Sequence, residues 1–126
     1  MGEEKKEKIR SFTDLFAWKE AHKLVLLVYS ITKEFPKDEI FGLTNQMRRA
    51  AVSITSNIAE GFSRVGNDDK KRFYAIALGS LTEIQNQLLI GKDIGYITKS
   101  RFTTAAEQTV TVSKLINGLR KIKSNS

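Results

Sequence analysis

The sequence predicts an all-α fold, an antiparallel up-down-up-down four-helix bundle, from three observations. Apolar residues recur at helical spacing in four long segments. Short breaker clusters separate the segments, at Phe35-Pro36, at Val65-Gly66-Asn67-Asp68-Asp69 and at Asp93-Ile94-Gly95. A single Pro, Pro36, in 126 residues leaves room for long uninterrupted helices. Short connections set successive helices side by side and antiparallel. The bundle is expected over residues 12–122, between a flexible arm at 1–11 and a flexible tail at 123–126.

The first helix is expected from about residue 14 to about residue 34, with Thr13 or Asp14 capping its free amides. Ala17, Ala21, Leu24, Val28, Ile31 and Phe35 trace its core stripe. Beside them Trp18, His22, Val25 and Tyr29 form an aromatic edge, which reads as core packing, as a subunit interface or as a base-stacking surface. Pro36 ends this helix, and Asp38 or Glu39 opens the second, with Phe41-Gly42-Leu43 in its first turns. On the second helix Met47, Ala51, Ile54 and Ile58 are the apolar stripe, while Arg49, Ser53, Ser56 and Glu60 share the far side. That flank is mostly short side chains, so another helix could approach it closely. Glu60 and Arg64 stand four apart, an orientation that favours an ion pair.

The third helix follows the Gly66 turn, with Asn67 or Asp68 as cap and Asp69 near the positive end of the helix dipole. Its stripe is Phe73, Ile76, Ala77, Ser80, Leu81, Ile84 and Leu88. Gly79 in mid-helix costs about 1 kcal/mol relative to Ala, so close backbone packing or a slight bend is expected there. Gly95 is placed to end this helix and Thr98 to cap the fourth, expected over about 98–122. Phe102, Ala105, Thr109, Val112, Ile116 and Leu119 face inward from it.

Composition narrows the chemistry. A length of 126 residues allows one domain with a real core. Cysteine is absent, which excludes disulfides, thiolate metal sites and cysteine nucleophiles. The one histidine, His22, rules out a three-histidine zinc site, and Glu20 is too close to it to form the Glu-x-x-His element of di-iron bundles. No phosphate loop, nucleophile elbow, signal peptide or membrane span is visible. The expectation is a cytoplasmic protein, not an enzyme, with no cofactor and no small-molecule substrate. The formal net charge is +7, and residues 98–126 carry six basic groups against Glu107 alone. A basic surplus of this kind points to an anionic partner, nucleic acid first, or else to a solvated basic face.

Two groups of polar residues stand out. Arg48, Arg49, Arg64, Lys70, Lys71, Arg120, Lys121 and Lys123 are the candidate phosphate contacts. For the arginine pair, internal ion pairing with nearby carboxylates is the competing use. Ser53, Asn57, Glu60, Ser80 and Glu83 lie on or near packed faces, where buried polar groups need partners. They are expected to form a hydrogen-bonded network that fixes helix register or a subunit contact, with Arg48 and Arg49 neutralising the acids. Glu60 and Glu83 can also be read as a pair of acids across neighbouring helices.

Five blocks then carry a resemblance. They are Phe12-x-Asp14-Leu15-x-x-Trp18-x-x-Ala21, Phe35-Pro36-x-x-Glu39, Phe41-Gly42-Leu43-x-x-Gln46-x-Arg48-Arg49-Ala50-Ala51, Ser53-Ile54-x-x-Asn57-Ile58-Ala59-Glu60-Gly61 and Ala77-x-Gly79-Ser80-x-x-Glu83. Together they resemble the four-helix-bundle proteins encoded in intervening sequences of bacterial 23S rRNA genes, from residue 12 to about residue 118. Gly91 stands where the pattern calls for a small helix-former, and the basic tail lies outside it. That family is similar to the accessory variability determinant of diversity-generating retroelements, a pentameric barrel that binds nucleic acid. The resemblance implies a homo-oligomer, a pentamer first, and a nucleic-acid partner, with structured RNA favoured. The alternative is a protein-interaction scaffold that docks through the edge of Trp18, His22 and Tyr29 or the short-residue flank of the second helix. A hydrolase using Glu60 or Glu83 is the third reading.

Overall fold

The computed structural model describes residues 8–122. The tail, including Lys123, and most of the expected arm lie outside the described residues. Four helices carry the fold: α1 (Phe16–Thr32), α2 (Leu43–Ser63), α3 (Asn67–Asp93) and α4 (Lys99–Leu119). Two single 3-10 turns, Phe12–Asp14 and Lys37–Glu39, precede α1 and α2. No strand occurs among the described residues. Each helix packs against the next, and α4 packs against α1, which closes a square. Cross-helix bonds fix the directions: Gln108 Nε2 reaches the Glu20 carbonyl at 2.8 Å and Arg101 Nη2 reaches Ser30 Oγ at 2.6 Å, so α4 descends as α1 climbs. The bundle is antiparallel throughout.

The apolar stripes make the core. Leu24, Val28 and Ile31 of α1 meet Met47, Ile54 and Ile58 of α2, Leu81, Ile84 and Leu88 of α3, and Val112 and Ile116 of α4, all fully buried. On α3 the expected stripe is buried at Ala77, Ser80, Leu81, Ile84 and Leu88 and departs only at its start: Ile76 is 43% exposed and Phe73 half-buried, while Tyr74 is buried in their place. The reason is the seam with α2, where Gly61 leaves room for the Tyr74 ring. A Cβ at Gly61 would lie 2.6 Å from Tyr74 Cε1. Burial raises the pKa of the Tyr74 hydroxyl.

Helix ends differ from the sequence reading where the chain makes an extra turn. Ser11 and Asp14 form a capping box, but on the 3-10 turn, so α1 begins at Phe16. The amides of Arg10 and Ser11 both donate to the Asp14 carboxylate, at 2.9 and 3.1 Å, and hold its pKa below the usual value. Phe41 is 91% exposed and lies before α2 rather than within it. Glu39 reaches forward instead: its Oε1 accepts from the Leu43 amide at 3.0 Å, and its Oε2 accepts from the Tyr96 hydroxyl at 2.9 Å. The carboxylate thereby ties the start of α2 to the loop before α4. Gly66, not Asn67 or Asp68, occupies the N-cap of α3.

The end of α3 follows expectation. Gly95 has φ +88°, and the amides of Gly95 and Tyr96 bond the carbonyls of Lys92 and Gly91, a Schellman ending. Thr98 Oγ1 accepts from the Arg101 amide and caps α4. Gly79, where close backbone packing or a slight bend is expected, is not closely packed: no atom lies within 4 Å of where a Cβ would stand. Within the helices the close approaches fall at Gly61 and at Gly91, which packs against Ile97. No helix among the described residues is long and apolar enough to cross a membrane.

Candidate nucleic-acid interface

The α1–α2 seam ends in an arginine-lined groove. Thr32 Oγ1 donates to the Val28 carbonyl at 2.7 Å, an interaction that keeps its hydroxyl fixed inside the last turn of α1. Arg48 Nε donates to that same oxygen at 2.9 Å, and its guanidinium lies over the Tyr29 ring at 4.7 Å from the centroid. The side chain is therefore held at two points, and neither Nη atom bonds another described residue. Arg49, exposed one position on, makes no polar contact with any described residue. Asn45, Val52, Ser53 and Ser56 complete a groove of about 540 Å³. Two guanidiniums beside short polar side chains suit an oxyanion, because Arg presents several N–H donors in a fixed fork.

The aromatic edge of α1 is partly packed, with Trp18 against the core. Trp18 and His22 stack at 4.8 Å, Phe12 meets Trp18 edge-on at 5.5 Å, and both Trp18 and His22 are half-buried. Tyr29 is 42% exposed, but Arg48 covers one face.

Only part of the expected polar network forms. The Ser53 and Ser80 hydroxyls share a hydrogen bond of 2.8 Å across α2 and α3. Asn57 Nδ2 donates to the Ser53 carbonyl and hydroxyl, at 2.8 and 3.1 Å. The two acids stay outside it. Glu60 pairs with Arg64 at 2.8 Å, both partly exposed, which is the i,i+4 pair read from the sequence. Glu83 lines a second groove of about 310 Å³ with Gln46, Arg49, Ala50, Ser53 and Ser80. Gly61 lies against Tyr74, so Glu60 and Glu83 are roughly 13 Å apart along the helix axis, at 1.5 Å per residue. The fold does not bring the two carboxylates together. Arg48 neutralises neither acid; it bonds Thr32.

The other basic candidates sit at the opposite end of the bundle, where α2 ends, α3 begins and α4 ends. Arg64 is shared between Glu60 at 2.8 Å and Asp69 at 3.7 Å, and it covers the Phe73 ring at 4.5 Å. Lys70 Nζ donates to the Phe62 carbonyl at 2.6 Å and the Gly61 carbonyl at 3.3 Å. It caps the negative end of α2. Lys71 is half-buried and has no such anchor; Arg120 makes a long 3.5 Å contact to Asn117, and Lys121 is exposed. Arg49 and Arg64 are fifteen positions apart on or just past α2, about 22 Å along the axis. The structure thus divides the candidates between two ends, and commits Arg64 and Lys70 to internal partners.

Sequence reasoning missed two things here. The anchor of Arg48, Thr32, is sixteen residues away. Lys99 and Lys114 are exposed cations on α4 with no polar partner among the described residues; the charge count over 98–126 already contained them. Among the described residues no cluster of three His, Asp or Glu could hold a metal ion.

Comparison with known proteins bears on most of the chain. The profile of the family described as 23S rRNA-intervening sequence protein matches residues 13–118. A solved structure of a protein of unknown function from the S23 ribosomal protein family of Bacteroides thetaiotaomicron VPI-5482 superposes with a TM-score of 0.77 at 20% identity, over 84% of this chain and 99% of that one. At that identity the likeness shows the fold. No curated protein matches.

Proposed function

The chain belongs to the 23S rRNA-intervening sequence protein family, and from that premise we propose that it is a non-enzymatic, oligomeric four-helix bundle of the cytoplasm that binds nucleic acid, structured RNA above all. The observation that carries the reading is the α1–α2 groove, in which a pre-set Arg48 stands beside a free Arg49. A side chain already held at two points loses little freedom when it takes a phosphate. The +7 charge adds long-range attraction. Assembly into a homo-oligomer, a pentamer in the first instance, repeats each weak contact and multiplies it through avidity. No cofactor or small-molecule substrate enters this reading.

Solution mass tests it. The protein alone should run at a multiple of its 14.2 kDa chain mass, and adding a structured RNA at low salt should raise that mass. A monomer whose mass is unmoved by RNA would overturn the proposal. A second reading, a protein-interaction scaffold, draws on an apolar groove of about 220 Å³ between α3 and α4, where Leu89 and Val110 are half-exposed beside Phe102. It predicts a partner whose retention survives nuclease treatment, and the RNA reading predicts none.

A further inference from the structure

The outer face of α4 carries cations that the groove does not use. Lys99 opens the helix and Lys114 follows fifteen residues later, about 60° away around the axis at 3.6 residues per turn. Lys121 lies just beyond Leu119, where the chain continues its coil, with the Arg120 and Lys121 amides still bonding the Ile116 and Gly118 carbonyls. All three lysines are exposed, and none makes a hydrogen bond or ion pair with a described residue. That contrasts with Lys70, Arg64 and Arg72, which are anchored to carbonyls or to Asp69. α4 offers one acid, Glu107, between the lysines.

Two features say what such a face fits. The first is length. Lys99 to Lys121 spans about 33 Å at 1.5 Å per residue, close to the ~34 Å repeat of a B-form double helix. A straight rod lying along a duplex meets one strand, meets that strand again a turn later, and crosses the partner strand in between, so cations suit the two ends and one point between them. Lys114, about 22 Å from Lys99, is that intermediate cation, and Glu107, about 12 Å from Lys99, leaves it clear. The second is the state of the aromatic rings. Single-stranded nucleic acid is held largely by bases stacking on exposed rings. Here cations already lie over Phe16, Tyr29, Phe62, Phe73 and Phe102 at 4.5–5.5 Å. The one ring on α4 itself, Phe102, has Lys92 above it, and Phe41, 91% exposed, lies in the connection before α2 rather than on α4. The helix presents charge without a stacking platform of its own.

We propose that the outer face of α4 is a phosphate track for double-helical nucleic acid, with Lys99, Lys114 and Lys121 as its contacts. The inference rests on the nucleic-acid reading above and adds a separate surface and a strand state to it. A duplex is recognised there through its backbone, so binding is strongly salt-dependent and indifferent to base sequence.

The test uses fluorescence anisotropy of the full chain with a 24-base-pair RNA duplex, the matching DNA duplex and the single strands. The variant is K99A/K114A/K121A, with R49E as the comparison and melting curves on both to confirm folding. The track predicts that the triple variant loses at least tenfold in duplex affinity, and that the slope of log affinity against log salt shrinks by about 0.9 per lysine removed. Single strands should bind more weakly than duplexes to the wild type. The RNA and DNA arms tell which duplex is preferred. If the wild type binds duplexes and the triple variant binds them equally, with R49E alone impaired, the track is wrong and the nucleic-acid reading stands. Preference for single strands overturns the duplex assignment. No binding by the wild type to any of the four probes overturns both.

Discussion

α3 shows two kinds of helix seam, one on each side. Toward α2 the contacts are made by Gly61, Ala50, Ser53, Ala77 and Ser80, and the backbones approach closely enough for two serine hydroxyls to bond directly. Toward α4 they are made by Leu81, Leu88, Phe102 and Thr109, and the same helix leaves an apolar groove at the surface. Side-chain size sets the difference. Short residues let helices touch along their length, and bulky ones hold them apart and leave their flanks partly uncovered. The tight seam fixes where Ser53 and Arg49 stand; the wide one leaves α4 turned toward water.

Truncation and addition should therefore act oppositely on the two seams. The largest effect is expected at the wide one: Leu88→Ala removes a side chain that is 1% exposed and should cost about 2–5 kcal/mol, read from denaturant midpoints. On the tight seam the damage comes from adding a methyl group. Gly61→Ala gains about 1 kcal/mol in helix propensity, but its Cβ would meet the Tyr74 ring at 2.6 and 2.9 Å. A net loss of about 1–2 kcal/mol is expected from overpacking; a more stable variant would show that the seam is looser than described. Gly79→Ala, on α3 with open space around it, should raise stability by up to about 1 kcal/mol. If it lowers stability only as protein concentration rises, a second copy packs at Gly79.

How much of this was legible follows the same division. The stripes of α1, α2 and α4 could be read directly, since Ala17 to Phe35, Met47 to Ile58 and Ala105 to Ile116 face the core as spaced. The α3 stripe is equally direct from Ala77 to Leu88 and departs only at its start, because Ile76 and Tyr74 are two positions apart and both apolar enough to face inward. Which one does is decided by the space at Gly61, on another helix. Gly79 and Gly61 look alike in the sequence, and only the neighbours separate them. The start of α2 was misplaced because Glu39 caps it from outside the helix. At the candidate site the residue types were visible, and their availability was not. Lys70 and Arg64 look as free as Lys114 until the end of α2 is seen beside the start of α3.

The smallest expected effect concerns acid. Asp14 and Glu20 both have pKa values held below the ordinary ones, Asp14 by the amides of Arg10 and Ser11, Glu20 by Lys23 and then Gln108. A carboxylate lowered in the folded state adds stability above its unfolded pKa, and the gain disappears as pH falls through the folded value. Melting temperature should thus be flat near neutrality and decline below about pH 4, the ordinary carboxylate range. Asp14→Asn should soften that decline.

The central claim is that free cations on this bundle hold a phosphate backbone. Filter binding of wild-type protein to a structured RNA at ~50 and ~200 mM salt tests it most directly, because each phosphate contact contributes a fixed share of the salt slope. The account predicts firm retention at the lower salt and at least a tenfold loss at the higher. Retention that is unchanged across the two salts, or absent at both, would contradict it.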